Sequence, residues 1–226
     1  LAMYESRPMP ERIYEPGELD TKPPVQKMYK QHYETDDHEH QIDFTGASQE
    51  DIARMRRHYY AGVTTIDEKV GQIMEALDRK GLLENSVVVF TSDHGDCLGD
   101  HDLPYKWFMY DPVTRVPLIV RTPDTVGQGR VDTVLFSQID LGPTLLEMAR
   151  IPIPSRLDGR SRLARLQGAP DDAPDAVFAE ENYLVMMRDQ RYKLVYYIDR
   201  PFGELYDLRD DADELVNLYD SEPHRP

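Results

Sequence analysis

The pattern of apolar positions between residues 48 and 81 predicts one long amphipathic helix. Its apolar residues recur every three or four positions, which places them on one helical face that we expect to lie in a core. Ser48 is a favoured N-cap residue, and Asp51 occupies the third helical position, where a capping box usually has Glu or Gln. Gly81 suits the C-terminal end. The apolar positions are Ile52, Met55, Tyr59, Val63, Ile66, Val70, Ile73 and Leu77.

A short β-branched run at residues 87–90, bounded by polar turns, predicts a buried parallel strand. Further strands are expected at 115–123, where Pro117 indicates an edge or a strand start, and at 131–137. Residues 140–151 predict a helix with a proline in its first turn. A long helix followed by a buried strand indicates an α/β sheet.

The flanking regions divide the chain further. Residues 1–47 are rich in Pro, Tyr, His and acids without a clear period, so we expect an extended segment of the large domain. The part of the large α/β domain that follows covers 48–151, and 152–175 is a loop-rich linker. Residues 176–226 contain short alternating runs, which predict a small α+β subdomain with an antiparallel sheet that closes in a short helix or turn.

Composition excludes some function classes. The formal net charge of −16 opposes binding to nucleic acid, whose phosphates would be repelled. No apolar run approaches the roughly 20 residues of a membrane span. The single cysteine, Cys97, allows no disulfide within the chain and fits a reducing compartment.

The sequence begins at Leu1 without a leader pattern, so we expect a fragment or processed product. The compartment, cytoplasmic or periplasmic in a bacterium, stays open.

Polar residues follow the run at 87–90. An α/β sheet binds its ligands at the carboxyl ends of its strands, which is where these residues lie. Asp93 offers a hard oxygen and His94 a borderline nitrogen, a pair that favours manganese, iron or zinc. Two ligands are too few, so others must come from elsewhere. The alternative is that Asp93 caps a turn and His94 lies on the surface. Asp96, Asp100 and His101 crowd the same loop, which is costly to pack unless a metal or an anion organises it.

Three further features carry candidate chemistry. Lys106 could stabilise negative charge that develops on a substrate, or it is a solvated surface lysine. Cys97 could act as a nucleophile, but we favour a buried structural thiol. The stretch at 32–40, rich in His and acids, could bind a metal by composition, although a polar loop is the simpler interpretation.

Five stretches between about residues 50 and 220 follow one another in a characteristic order. They are YYAGVTTIDEKVGQIMEALDRKGLLENSVVVFTSDHGDCLGDH, KWFMYDPVTRVPLIVR, SQIDLGPTLLEMARI, LDGRSRL and RYKLVYYIDRPFGELYDLRDDADELVNL. Together they resemble the C-terminal half of a sulfatase, in the alkaline phosphatase superfamily that includes arylsulfatases and phosphonate monoester hydrolases. The resemblance implies an alkaline-phosphatase-like mixed sheet flanked by helices, with a small C-terminal antiparallel-sheet subdomain.

The resemblance also implies a site. Asp93 and His94 match a late pair of ligands to one divalent cation, calcium or manganese, and Lys106 matches a lysine that contacts the oxygens of the substrate. His101 matches a histidine with a supporting role in catalysis. The family nucleophile is a formylglycine made from the first residue of a Cys/Ser-x-Pro-x-Arg motif. We expect this chain to contain no such motif, because Cys97 is followed by Leu-Gly-Asp-His, and we expect the formylglycine in a missing N-terminal half.

The implied activity is hydrolysis of small-molecule sulfate esters by the full-length parent, with the isolated chain inactive. Two alternatives stay open: hydrolysis of phosphonate monoesters or phosphodiesters by the same superfamily machinery, and a non-catalytic fragment that serves binding or assembly. Homo-oligomer formation is undecided by the sequence.

Overall fold

The computed structural model describes residues 1–35, 46–123, 129–169 and 174–221. Residues 36–40 of the His- and acid-rich stretch lie outside these ranges. No helix within them is long and apolar enough to cross a bilayer. The helices are α1 (Ala2–Glu5), α2 (Pro24–Thr35), α3 (Gln49–Arg79), α4 (Asp111–Thr114), α5 (Leu141–Met148) and α6 (Leu163–Leu166); the strands are β1 (Val88–Thr91), β2 (Leu118–Arg121), β3 (Val177–Glu181), β4 (Leu184–Arg188), β5 (Tyr192–Tyr197) and β6 (Gly203–Asp207).

The long helix α3 forms as predicted. The Ser48 hydroxyl accepts a hydrogen bond from the Asp51 amide, and the Asp51 carboxylate accepts one from the Ser48 amide, which completes the capping box. The prediction that its apolar face lies in a core is wrong beyond the first turn. Ile52 is buried, but the exposed fractions of Val63 and Ile73 are 49% and 60%. Among the described elements, the main neighbours of α3 are α1 and the turn at 83–85. They leave most of the apolar face of α3 uncovered.

The strands of the large domain differ from the prediction. β1 pairs with β2 in an antiparallel ladder, in which Val88 stands opposite Arg121 and Thr91 opposite Leu118. The predicted parallel strand is therefore wrong in direction, because a β-branched run favours a half-buried strand of either direction. Residues 131–137 form no strand and run as irregular chain. The helix predicted from 140 exists as α5, preceded by a 3-10 turn at Gln138–Asp140.

The N-terminal region is more ordered than the sequence indicated. α2 begins at Pro24, a residue that suits the first helical position because its missing N–H has no partner there. Its Gln26 is fully buried and accepts a hydrogen bond from the Tyr110 hydroxyl at 2.8 Å. The prediction of an extended segment is thus wrong for residues 24–35.

The C-terminal sheet follows the prediction. β3, β4, β5 and β6 pair in chain order, each antiparallel to the next. Alternate residues, among them Leu184, Met186, Val195 and Tyr197, are buried on one face. Residues 211–220 close the chain in turns.

A buried ionic cluster ties this sheet to the segment that carries Lys106. The Lys193 ammonium, on β5, lies 2.5 Å from the Asp111 carboxylate and 2.6 Å from that of Glu214. It also donates to the carbonyl oxygen of Met109 at 3.0 Å. Since these groups are removed from water, they fix the C-terminal sheet against the start of α4.

Candidate metal and anion site

Asp93 and His94 follow β1 and direct their side chains into the same space. One Asp93 carboxylate oxygen accepts a hydrogen bond from the His94 amide at 2.9 Å, and the other lies 3.4 Å from His94 Nε2. The backbone hydrogen bond lowers the pKa of the Asp93 carboxyl. Its side chain is 84% exposed, so the carboxylate is accessible as well as ionised.

The imidazole of His94 is held in one orientation. Its Nδ1 lies 2.7 Å from the Gly95 carbonyl oxygen, so the ring donates from Nδ1 when it is neutral and keeps the Nε2 lone pair. A metal-binding histidine uses this arrangement, since a hydrogen bond at one ring nitrogen fixes the other as the ligand. The oxygen of Asp93 and the nitrogen of His94 therefore fit a divalent cation as part of its donor set. The described residues contain no cluster of three or more His, Cys, Asp or Glu that could hold a metal alone.

Gly95 is needed for close packing. An added Cβ atom would lie 1.9 Å from the backbone oxygen of Pro112. The Gly95 amide also donates to the Val113 carbonyl at 2.7 Å. The loop after Asp93 and His94 is thus seated directly on the backbone of α4, which limits its movement.

Lys106 reaches this site from the next loop. Its ammonium contacts Nε2 of His94, and the Cys97 amide donates to the Tyr105 carbonyl at 2.8 Å to hold the loop in place. Asp93, His94 and Lys106 line one side of an open cavity of about 1310 Å³. A cation, a carboxylate and a nitrogen ligand therefore meet in a space large enough for a substrate.

Arginines contribute positive charge to the same cavity. Arg130, Arg162 and Arg165 all line it. Asp132 pairs with Arg130 and Arg165 at 2.9 Å and 2.6 Å, and the hydrogen bond from Arg165 lowers the pKa of the Asp132 carboxyl. Arg162 is held by Asp140 at 2.8 Å. The cavity wall thus combines fixed ion pairs with the Lys106 ammonium.

His101 lies apart from the other predicted site residues. It is 1% exposed, stacks on Tyr110 at 3.7 Å between ring centroids, and places Nδ1 2.8 Å from the Glu18 carboxylate. Its ring is not among the described residues that line the large cavity. The structure therefore brings Asp93, His94 and Lys106 together and places His101 in a neighbouring buried polar cluster.

The acidic loop is organised by protein cations. Asp100 accepts a hydrogen bond from the Arg56 guanidinium at 2.6 Å, and Asp102 pairs with Arg12 at 3.0 Å. The expectation that a metal or an anion organises the loop with Asp96, Asp100 and His101 is wrong for Asp100, because Arg56, which is distant in sequence, already compensates its charge. Cys97 is buried as expected, and burial raises the pKa of its thiol well above the usual value.

Two residues near the site escaped the sequence analysis. The Gln138 amide contacts the carbonyl oxygen of Ser92, next to Asp93. Trp107 is 40% exposed and lines the cavity beside Lys106. The sequence could have indicated both residues, because each lies inside a stretch that carries the family resemblance.

A formylglycine-type motif is present at the far C-terminal end. Residues 221–225 read Ser-Glu-Pro-His-Arg, which corrects the view that this chain offers no candidate. The Ser221 hydroxyl donates to the Leu218 carbonyl at 2.7 Å, and residues 222–226 lie outside the described ranges. Ser221 is not among the described residues that line the cavity with Asp93, so we do not assign it a catalytic role.

Comparison with protein families identifies two matching models. The first, Sulfatase, matches residues 18–151. The second, N-sulphoglucosamine sulphohydrolase, C-terminal, matches residues 99–226. Together they cover the large-domain part, the linker and the C-terminal sheet.

Individual relatives agree with the family models. An N-acetylglucosamine-6-O-sulfatase from Bacteroides thetaiotaomicron is 32% identical over 178 residues, which cover 72% of this chain and 32% of the relative. A choline-sulfatase from Rhizobium meliloti is 34% identical over 178 residues, covering 76% and 34%. The chain thus spans about a third of the length of these relatives.

Solved structures show the same relationship in three dimensions. A phosphonate monoester hydrolase from Silicibacter pomeroyi superposes with a TM-score of 0.86 at 25% identity, over 99% of this chain and 49% of the other. The alkaline-phosphatase-like α/β fold with a small C-terminal antiparallel sheet is therefore confirmed.

Proposed function

Because the chain belongs to the sulfatase family, we propose that it is the C-terminal part of an enzyme that hydrolyses small-molecule sulfate esters. The observation that carries the proposal is the meeting of the Asp93 carboxylate, His94 Nε2 and the Lys106 ammonium at the end of β1. Curated relatives that carry sulfatase names support the reaction class. The substrate class and the site roles are part of the proposal.

Asp93 and His94 would supply two ligands to a divalent cation, calcium or manganese. Such a cation, when bound, would lower the pKa of the nucleophile and neutralise charge on the ester group. The hydrogen bond from His94 Nδ1 to the Gly95 carbonyl keeps Nε2 aimed at that position. The remaining ligands and the formylglycine would come from polypeptide outside these 226 residues.

Lys106 would bind the anionic ester. In the structure its ammonium contacts Nε2 of His94, which places a positive charge beside the two residues that would hold the cation. A positive charge at this place stabilises negative charge in the transition state more than in the ground state. His101 would act as a positioning residue, because its contacts with Glu18 and Tyr110 hold the loop that leads to Lys106.

Hydrolysis of phosphonate monoesters or phosphodiesters is the second candidate. It is supported by the superposition on a phosphonate monoester hydrolase over almost the whole chain. Paired kinetics of the parent protein on sulfate, phosphonate and phosphodiester substrates would separate the two reactions, because the preferred ester should show the highest kcat/KM.

The test of the proposal compares three variants of the parent protein. Asp93→Asn and Lys106→Met should each lower kcat for an aryl sulfate by about 10²-fold or more. Asp67→Asn, which removes an exposed carboxylate on α3, should leave kcat unchanged. Normal turnover by Asp93→Asn and Lys106→Met would contradict the proposed site, and the isolated 226-residue chain should show no turnover.

A further inference from the structure

A second, smaller cavity lies next to the large one and has a different chemical character. Its volume is about 150 Å³, and its walls come from α2, from the chain at 107–108 and from the hairpin between β3 and β4. A cavity of about this size accommodates a group as large as benzene. Three residues, Trp107, Phe108 and Glu181, line both cavities, so the small cavity adjoins the site of Lys106.

Four of the eight described residues that line the small cavity are aromatic. Tyr29 meets Phe108 edge to face, with ring centroids 5.3 Å apart and planes at 89°. It meets Trp107 at 6.5 Å and 62°. The three rings are therefore inclined to one another instead of lying parallel along the wall. Tyr183 adds a fourth ring from the hairpin.

One carboxylate completes the cavity. Glu181 is the only charged side chain among the described residues that line it. The Asn182 amide donates to this carboxylate at 2.6 Å. Neither lysine nor arginine lines the cavity in the described part of the chain, whereas Lys106 and several arginines line the larger one. Among the described residues, the small cavity is therefore lined by one formal negative charge and no positive one, whereas the large cavity is lined by charges of both signs.

We propose that the small cavity binds an organic cation of the alkylammonium type. The faces of aromatic rings attract cations through their quadrupole, and Glu181 adds a formal negative charge at the rim. The net charge of −16 increases the local concentration of cations around the protein. A neutral group of the same shape would gain the packing without the electrostatic attraction, so the cavity should discriminate by charge.

A corollary rests on the proposed function. An ester held by Lys106 could extend its alcohol portion past Trp107 into the small cavity. The enzyme would then prefer sulfate esters whose alcohol carries a positively charged group that a short chain separates from the ester oxygen.

Trp107 provides a direct test, because it is the only tryptophan of the chain. The 226-residue chain is titrated with tetramethylammonium, and in parallel with tert-butyl alcohol, while the Trp107 fluorescence is recorded. We expect a saturable change with the cation and none with the alcohol. Glu181→Gln should raise the Kd about tenfold. Glu180→Gln, which neutralises the neighbouring exposed carboxylate outside the small cavity, should change it less than about twofold.

Four results would overturn the inference. They are no saturable change, an equal response to tert-butyl alcohol, an unchanged Kd in Glu181→Gln, and a saturable response to methyl glucoside instead of the cation, which would indicate a sugar site. Kinetics of the parent separate this inference from the proposed function. Turnover of cationic and neutral esters at equal kcat/KM, without tetramethylammonium binding, contradicts only the inference. No turnover of either ester, with the titration intact, contradicts only the proposed function.

Discussion

Removal of the buried ammonium of Lys193 should destabilise the chain severely. The Lys193 side chain is 0% exposed and faces two carboxylates, Asp111 at 2.5 Å and Glu214 at 2.6 Å. Lys193→Met keeps a long apolar side chain and removes only the charge and its donors. The variant therefore leaves two acids facing each other in a site that excludes water.

The size of the effect follows from the remaining partners. Arg188 still donates to both oxygens of Asp111, at 2.7 Å and 2.9 Å, so that carboxylate keeps a cation. The Glu214 carboxylate keeps the hydrogen bond that it accepts from the Asp111 amide at 2.6 Å, which is a neutral donor. Loss of one partner from a buried pair costs about 3–5 kcal/mol, and we expect the lower end, about 3 kcal/mol, because Arg188 compensates one of the two acids.

The assay is chemical denaturation of the 226-residue chain at neutral pH. The matched control is Lys27→Met, which removes a lysine paired with Asp20 at 2.5 Å in an exposed position and should cost less than about 1 kcal/mol. Adding Glu214→Gln to Lys193→Met should recover part of the loss, because the uncompensated carboxylate disappears. Equal losses for Lys193→Met and Lys27→Met would refute the reasoning.

Three further outcomes follow from the structure. Burial would raise the pKa of Asp111, but the charges and hydrogen bonds of Lys193 and Arg188 together outweigh burial and lower the pKa. The folded state then binds this proton less tightly than the unfolded chain. Stability that is present above about pH 3.9 should therefore be lost as the pH falls through the folded value, measured by denaturation from about pH 5 downward. Gly95→Ala should cost about 2 kcal/mol or more in the same assay, because its Cβ meets backbone, whereas Gly71→Ala, in open space on a helix, should stabilise by about 0.5–1 kcal/mol. The Cys97 thiol should resist iodoacetamide until the chain unfolds, since burial raises its pKa; rapid alkylation of folded chain would contradict its placement.

Local features of the fold could be predicted from the sequence. The capping box of Ser48 and Asp51 and the spacing of apolar residues define α3 without any distant contact. Alternation within the C-terminal strands likewise predicts which face is buried. The direction of β1 could not be predicted, because it depends on a partner strand about 30 residues later in the chain.

The same distinction applies to the site. Asp93 and His94 are neighbours in sequence, so their common direction follows from the strand that precedes them. The partner of His101 could not be predicted, since Glu18 lies 83 residues away. The compensation of Asp100 by Arg56 was missed for the same reason, as they are separated by 44 residues. α2 was missed because its aromatic and histidine residues have weak helix propensity, and packing against Tyr110 stabilises it instead.

The proposed function requires that Asp93 and His94 bind a divalent cation in the parent protein. The most direct measurement is the metal content of the purified parent by elemental analysis, compared with that of the Asp93→Asn/His94→Gln variant and with Asp67→Asn as control. We expect about one divalent ion per chain in the parent and the control, and a large loss of metal in the double variant. A full equivalent of metal in the double variant would contradict it.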